Sequence, residues 1–533
     1  MNESGNAWND LHGAGAMEFP SGDRGTVELF AYCDRLSYAR GEVVRLMVHT
    51  TRRTFDVEVL LDGEQPVPVF ARAGLGGQIQ ATPLDAYQRG CGWQDTLEIP
   101  IAREWPSGFY LIRLTVADSD GHPHSREGGF VVRPGHEGEA RRRLLLVMAT
   151  CTYAAYNDWG GANAYRRVIG GKSIDGGAPR LSLDRPWARG HLRLPPDAPR
   201  HTDVPDLPPH SPPRYPYIEW ALTHGFTRHY CDAGWAYYDR HFWNWAKSTG
   251  YEIDLLTQHD LHEQRDLMMR YQAMVMVGHD EYWTWEMRDA VDDFVKQGGN
   301  LARFAGNFLW QVRLEGAGRV QVCYKNPMLD PLFQSERASR TTTYWDASCI
   351  GRPAACTMGL TGAAGIYSRF GAVMPRASGG CTVYRPNHWA FAGTDLYYGD
   401  VFGGAPARIA SYEVDGVDYT FRDGLPYPTC KDAAPAELEI LAMAPAARGE
   451  LRRHQGLLNA PLHEVESLLQ RVPPFYDLPA DGIERGAGMI AILESGRGTI
   501  FNAGYSEWIS GLLHHDFFVE KITRNVLDRL LTN

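Results

Sequence analysis

Between Thr26 and Pro134 apolar and polar residues alternate in short runs, among them Thr26–Phe30, Val43–Val48 and Phe55–Leu60. Gly, Asp and Arg turns separate them, the pattern of half-buried strands. Trp105–Leu114 reads as a turn feeding one more. About seven strands over roughly 110 residues predict an immunoglobulin-like β-sandwich. The texture changes at Gly135-His136-Glu137-Gly138. From there continuous apolar runs alternate with helical spacing. Strands are predicted at Leu144–Met148, Glu252–Leu256, Met274–Val277 and Asn300–Phe304, and helices at Tyr217–Thr223, Asp239–Ser248 and Thr284–Gln297. In the last helix Met287, Ala290, Val291, Phe294 and Val295 recur on one face, and Gly298-Gly299 stops it. Strand–helix–strand alternation predicts a parallel sheet wound on both faces. Gly171–Pro216 is rich in Pro, Arg and Gly and reads as a long loop or lid. Short strands return at Met489–Leu493 and Gly498–Ala503, before a final helix from Phe517. The expected division is 1–25 as a flexible amino terminus, 26–138 as the sandwich, and 139–533 as an α/β catalytic domain with an insertion at about 171–238.

Composition narrows the function. With 533 residues, 44% hydrophobic and 22% charged, the chain is long enough for two or three well-packed domains. A net charge of −11 argues against a nucleic-acid partner, and Arg141-Arg142-Arg143 is too short to be a basic patch. No apolar run approaches the roughly 18 residues of a membrane helix, and the first 25 residues lack the order of a signal peptide. Nine cysteines without a CxxC pair indicate neither a disulfide framework nor a zinc ribbon. A reduced cytoplasmic location is expected.

Ligands of parallel sheets bind beyond the carboxyl ends of the strands. Three predicted strands run straight into polar residues there: Thr150 to Gly161 with Tyr165 soon after, Gly278–Trp283, and Ala305–Trp310. His279 and Glu281, two residues apart, can aim at one point while Asp280 points away as a structural residue. Such a pair suits metal ligation or acid–base work. Glu281 reads equally well as the cap of the following helix. Cys151 lacks the flanking glycines of an amidotransferase nucleophile and reads as a buried, inert thiol. Gly160-Gly161 is not a phosphate loop, because no Lys-Ser/Thr follows. Taken alone, Asn307 is a turn former, and Tyr156 and Tyr165 are packing residues. Trp159, Tyr282, Trp283 and Trp310 point either to an apolar pocket or to core.

At these residues the sequence resembles the large subunit of N,N-dimethylformamidase and its wider family. The resemblance lies in Ala155-Tyr156-Asn157-x-x-Gly160-Gly161, Gly278–Trp283, Gly298–Leu301 leading to Gly306-Asn307, Tyr412–Gly416 and Phe501–Gly504. It runs from the sandwich to the carboxyl terminus but is not expected to reach the lectin-like region of the full-length enzymes. It implies a glutamine-amidotransferase-like α/β domain and a mononuclear, ferric iron held by two Tyr and one Glu. Carried over, the ligands are Tyr156, Tyr165 and Glu281, with Tyr153 in reserve for the second Tyr. His279, Asn307 and Glu413 are then the residues around the substrate. Hard anionic oxygens suit a hard cation. A cation also lowers the pKa of a coordinated Tyr and activates water. The implied activity is hydrolysis of the carbon–nitrogen bond of a small amide, with a small subunit or a second copy as partner. Two other readings stand beside it: a non-catalytic or carbohydrate-linked amidotransferase-like module, and the same centre used for different chemistry on a nitrogen compound.

Overall fold

The computed structural model describes residues 17–135, 143–169, 172–174, 176–203, 215–368, 379–447 and 486–532. Residues 136–138 at the expected junction, Arg141 and Arg142, most of the expected flexible amino terminus and 204–214 of the insertion lie outside them.

The first strands form two sheets packed as a β-sandwich. One has three strands, Leu29–Cys33, Val43–Thr50 and Leu97–Pro100. The other has five, Ser37–Tyr38, Pro123–Val132, Gly108–Ala117, Thr54–Leu61 and Val67–Gly76 in spatial order. Phe55, Val57 and Val59 point into the core with Leu46, Val48, Ile112 and Phe130, while Asp56 is exposed. Gly108–Ala117 does not alternate in this way, and its first five residues are all buried. Its outer face is covered too: Phe109 and Leu111 join the core of the α/β region, where Phe109 stacks on Trp235 at 4.6 Å. A strand covered on both faces has no polar side to show.

The α/β region is built on an eleven-stranded sheet. Its members include β1 (Leu144–Met148), β2 (Ile253–Thr257), β3 (Ala273–His279), β4 (Asn300–Gly306), β5 (Ile366–Ser368), β6 (Glu413–Gly416), β7 (Glu439–Ala447), β8 (Gly486–Ser495) and β9 (Gly498–Ala503), in the order β2-β1-β3-β4-β9-β8-β7-β5-β6. The five strands from β2 to β9 run parallel. The expected all-parallel sheet stops there. From β9 to β6 every pairing is antiparallel. The reason is local: β8 and β9 are joined by a two-residue turn at Gly496 and Arg497, and a hairpin can only reverse the chain. The fold is therefore mixed α/β.

Helix α1 (Thr150–Tyr156) follows β1, α2 (Trp285–Lys296) joins β3 to β4, and α3 (Phe517–Thr532) closes the chain. The five apolar positions expected on α2 are buried. The segment expected to be a long loop contains more structure than that. It holds Arg180–Ser182 as a strand, and the helix expected at Tyr217–Thr223 follows it as Pro216–His224. The helix expected at Asp239–Ser248 is present as Arg240–Ser248, preceded by a π-helical turn at Trp235–Asp239. Such turns recur beside functional sites. No helix among the described residues is long and apolar enough to cross a membrane, and all nine cysteines are unbridged.

Candidate functional site

Because β1, β3 and β4 are adjacent and parallel, their carboxyl ends open on one rim, and the three polar segments meet there. At the end of β3, Gly278 has φ +76, and a Cβ on it would lie 2.3 Å from the Tyr238 ring. Only glycine lets the π-helical turn press this closely on the strand. The next three residues alternate. Asp280 turns under the sheet, accepting from Gln258 (2.7 Å) and Trp283 (2.8 Å) and pairing with Arg303 (3.2 Å). His279 and Glu281 face the rim. Glu281 does not cap α2, whose N-cap is Thr284, accepting from the Met287 amide. The Glu281 amide instead donates to Thr152 Oγ1 of α1 at 2.9 Å, which pins the carboxylate over that helix.

Tyr156, at the end of α1, donates to Glu281 Oε2 at 3.0 Å. Tyr165 reaches the same carboxylate from the next turn, 3.0 Å from Oε1 and 3.1 Å from Oε2. The two phenol oxygens are 2.8 Å apart. Asn163 shapes that turn by accepting from the Tyr165 amide at 2.9 Å. Tyr153 goes elsewhere, donating to the buried carboxyl of Asp239. The structure thus gathers Tyr156, Tyr165 and Glu281 and leaves Tyr153 in a separate cluster.

Asn307 follows β4 with φ +63. Its Nδ2 donates to Glu413 Oε2 at 2.6 Å and lies 3.3 Å from His279 Nε2. Its Oδ1 is buried and has no partner among the described residues. His279 Nε2 is 2.6 Å from Glu413 Oε2 and 3.4 Å from Glu281 Oε2. The tautomer follows from the other nitrogen: Nδ1 faces the Asp232 carbonyl at 2.7 Å, an acceptor only, so Nδ1 carries a proton. Burial alone would depress this imidazole, but the charge and hydrogen bond of Glu413, with the charge of Glu281, lift it to about 9. Burial pushes the Glu281 carboxyl up to about 7; His279 and Lys325 oppose this and Glu413 adds to it. Burial, then Glu281 and Tyr165, push the Tyr156 phenol well above 10.

Sequence reasoning missed several neighbours. Asp232 and His229 come from the insertion; His229 Nδ1 donates to the Asp232 carboxylate at 2.6 Å, and its ring lies 5.6 Å from that of Tyr156. Lys325 is buried, with its ammonium 3.5 Å from the centre of the Tyr165 ring. Its φ of +56 was not legible in the residue types around it. The aromatic residues divide. Trp310 donates to Glu281 Oε1 at 2.6 Å and Tyr282 to the Tyr165 oxygen at 2.8 Å. Trp159 packs on Phe30 and Trp93 at the edge of the sandwich, and Trp283 packs on Phe308. Cys151 is fully buried, which pushes its thiol up and away from reactivity.

At the carboxyl rim of a mixed α/β sheet two phenols, two carboxylates, an imidazole and a carboxamide come together, groups of the kinds that can ligate a metal or exchange protons. The chain belongs to the N,N-dimethylformamidase beta subunit-like family, whose C-terminal model matches residues 60–518. It is similar to the N,N-dimethylformamidase beta subunit of Paracoccus aminophilus, 26% identical over 229 residues. The corresponding protein of an Alcaligenes species is 24% identical over the same length. Each match takes in 42% of this chain and only 28% of the relative. A solved structure of murine CRIg aligns with 21% of this chain and 97% of that chain, at 15% identity and a TM-score of 0.14, too low to bear on the fold.

Proposed function

We propose that this chain is an iron-dependent hydrolase of the carbon–nitrogen bond of a small amide. The observation that carries the reading is the triangle of oxygens from Tyr156, Tyr165 and Glu281, with edges of 2.8, 3.0 and 3.1 Å. A cation holding oxygens at about 2.0–2.1 Å in octahedral geometry sets neighbouring ligands about 2.8–3.0 Å apart. Three hard oxygen donors fit a hard ion such as ferric iron. The protons now shared between the phenols and the carboxylate are the ones a cation would replace. A second donor set, His279, Glu281 and Glu413, has its atoms within 4.8 Å of one another. It is the poorer match to hard oxygen ligation, because His279 Nε2 and Glu413 Oε2 are 2.6 Å apart and already bonded to each other.

When bound, the cation supplies Lewis acidity and an acidic water. The remaining work falls to the chain's own residues. His279, charged and fixed by the Asp232 carbonyl, presents an N–H at Nε2 and can deliver that proton to the departing amine. Glu413 holds the imidazolium, and the proton lost by the attacking water would pass to Glu413 and restore the charge on His279. Asn307 Oδ1 accepts an N–H or O–H from the substrate or the attacking water, and Gly362 leaves room for it, since a Cβ there would lie 2.6 Å from that oxygen. We assign the sandwich to the immunoglobulin-like type and the large sheet to the amidotransferase-like type. We also expect a partner subunit or a second copy in the working enzyme, because the relatives are named as beta subunits.

The test is metal analysis and a visible spectrum of the purified protein. About one iron per chain and a visible ferric-tyrosinate band are expected, with both lost in Glu281→Ala. Amide hydrolysis by a colourless, iron-free preparation would overturn the reading.

A further inference from the structure

The proposed ligand oxygens are themselves held by donors, and one of these has no role so far. Tyr282 is fully buried, and its hydroxyl donates to the Tyr165 oxygen at 2.8 Å. The arrangement is built from below. Tyr282 lies on a short strand, Tyr282–Thr284, paired in parallel with Trp310–Glu315, with Tyr282 opposite Trp310. The two residues that face each other across this ladder each donate to a different proposed ligand: Trp310 Nε1 to Glu281 Oε1 at 2.6 Å, and Tyr282 Oη to Tyr165 Oη. The Tyr282 amide shares Thr152 Oγ1 with that of Glu281, at 3.4 and 2.9 Å, so α1 and the Tyr282 strand are in register with each other. Donors behind metal ligands orient them and tune how strongly they bind.

We propose that Tyr282 is a positioning residue for the centre: its hydroxyl hydrogen bond fixes the direction of the Tyr165 oxygen and withdraws electron density from it. Trp310 does the same for Glu281 Oε1, leaving Oε2, the oxygen nearer Tyr156, as the one directed at the cation. The inference rests on the iron reading above. A phenolate that accepts a hydrogen bond is a weaker donor, and the cation beside it keeps more positive charge for polarising a carbonyl.

The test is Tyr282→Phe, which removes one oxygen and keeps the ring, measured on iron-loaded protein beside the wild type. The ferric-tyrosinate band should move to longer wavelength by about 20 nm, because loss of a charge-assisted hydrogen bond raises the energy of the phenolate electrons. Iron affinity, measured by competition with a chelator, should fall by about tenfold, because a Tyr165 phenol without this donor is less well aimed and harder to deprotonate, which outweighs its stronger donation. Trp310→Phe should weaken iron binding while leaving the band within a few nanometres, because the Trp310 hydrogen bond goes to the carboxylate. Should Tyr282→Phe fail to accumulate, Tyr282→Leu read against Trp310→Phe gives the same contrast. A wild-type band reproduced unchanged by the Tyr282 variant, with unchanged affinity, overturns the role of Tyr282 and leaves the iron reading standing. A wild type that takes up iron without any visible band overturns the reading on which both rest.

Discussion

Arg303 offers the sharpest test of how the site is held. It sits on β4 directly under the rim, with none of its side chain exposed. Its guanidinium pairs with Asp280 Oδ2 at 3.2 Å and with Asp415 Oδ2 at 2.5 Å, and donates to the Ala305 carbonyl at 2.9 Å. Asp280 lies between His279 and Glu281, and Asp415 is two residues from Glu413. Asp415 also accepts from the Phe308 amide at 2.9 Å, next to Asn307. One cation thus clasps the three segments that carry the proposed chemistry. Arg303→Met keeps most of the volume but strands two buried carboxylates. Breaking a buried pair in this way costs about 3–5 kcal/mol, and with two acids at stake the upper end applies. The pH dependence has a definite sign. Burial already raises both aspartates above 3.8 against the pull of Arg303, so its removal raises them further. A carboxyl with a raised folded pKa binds its proton more tightly folded than unfolded, so stability improves as pH falls towards that value. The deficit, read from urea unfolding by tryptophan fluorescence, should be largest near pH 8 and shrink towards pH 5. Adding Asp280→Asn and Asp415→Asn should restore more than half of it, because amides keep the hydrogen bonds without the charges. A loss below about 1 kcal/mol, or one equal at both pH values, would refute the clasp.

Three other outcomes are expected. Tyr165→Phe should weaken and shift the visible band, because Tyr156 remains as a phenolate, whereas Tyr153→Phe should leave the band unchanged and cost about 1–3 kcal/mol in unfolding free energy, since it strips a buried partner from Asp239; a changed band in the second variant beside an unchanged one in the first would reverse the assignment. Gly278→Ala should cost about 2–4 kcal/mol and lower iron content, because its Cβ meets the Tyr238 ring at φ +76. Gly250→Ala, at φ +91 with open space around it, should cost about 1 kcal/mol, and equal losses would discount the steric account. Glu507 accepts from Arg200 (3.2 Å), Tyr237 (3.2 Å) and Tyr238 (3.1 Å); burial opposes its ionisation, but Arg200 and His201 hold the carboxyl down to about 2. Its contribution, on the order of 3 kcal/mol, is complete above its ordinary 4.5 and lost as pH falls towards 2. The stability gap between wild type and Glu507→Gln should close over that window, and a gap constant from pH 6 to 3 would contradict it.

Much of this was legible in residue order because it depends on near neighbours along the chain. Period-2 alternation placed Phe55, Val57 and Val59 inside the sandwich, and helical spacing placed Met287, Val291 and Phe294 inside α2. The same alternation separated Asp280 from His279 and Glu281. It failed at Gly108–Ala117, where a second layer covers the strand, and at the sheet's far half, where hairpins replace crossovers. Tyr153 and Tyr156 are three apart on α1 and look like a pair on one face. Which of Tyr153 and Tyr165 joins Tyr156 depends on where Asp239 lies, and Asp239 is 86 residues away.

The sequence by itself determined the strand ends, the residue types they present and the side to which each alternate residue turns, since backbone geometry and local burial settle these. Only the tertiary structure decided the partners: the Asp232 carbonyl that sets the His279 tautomer, the Tyr282 hydroxyl on Tyr165 and the ammonium of Lys325 beside it. Such contacts join residues far apart in the chain. A hydrogen bond or ion pair is set by distance and direction in space, and no pattern of neighbours encodes either.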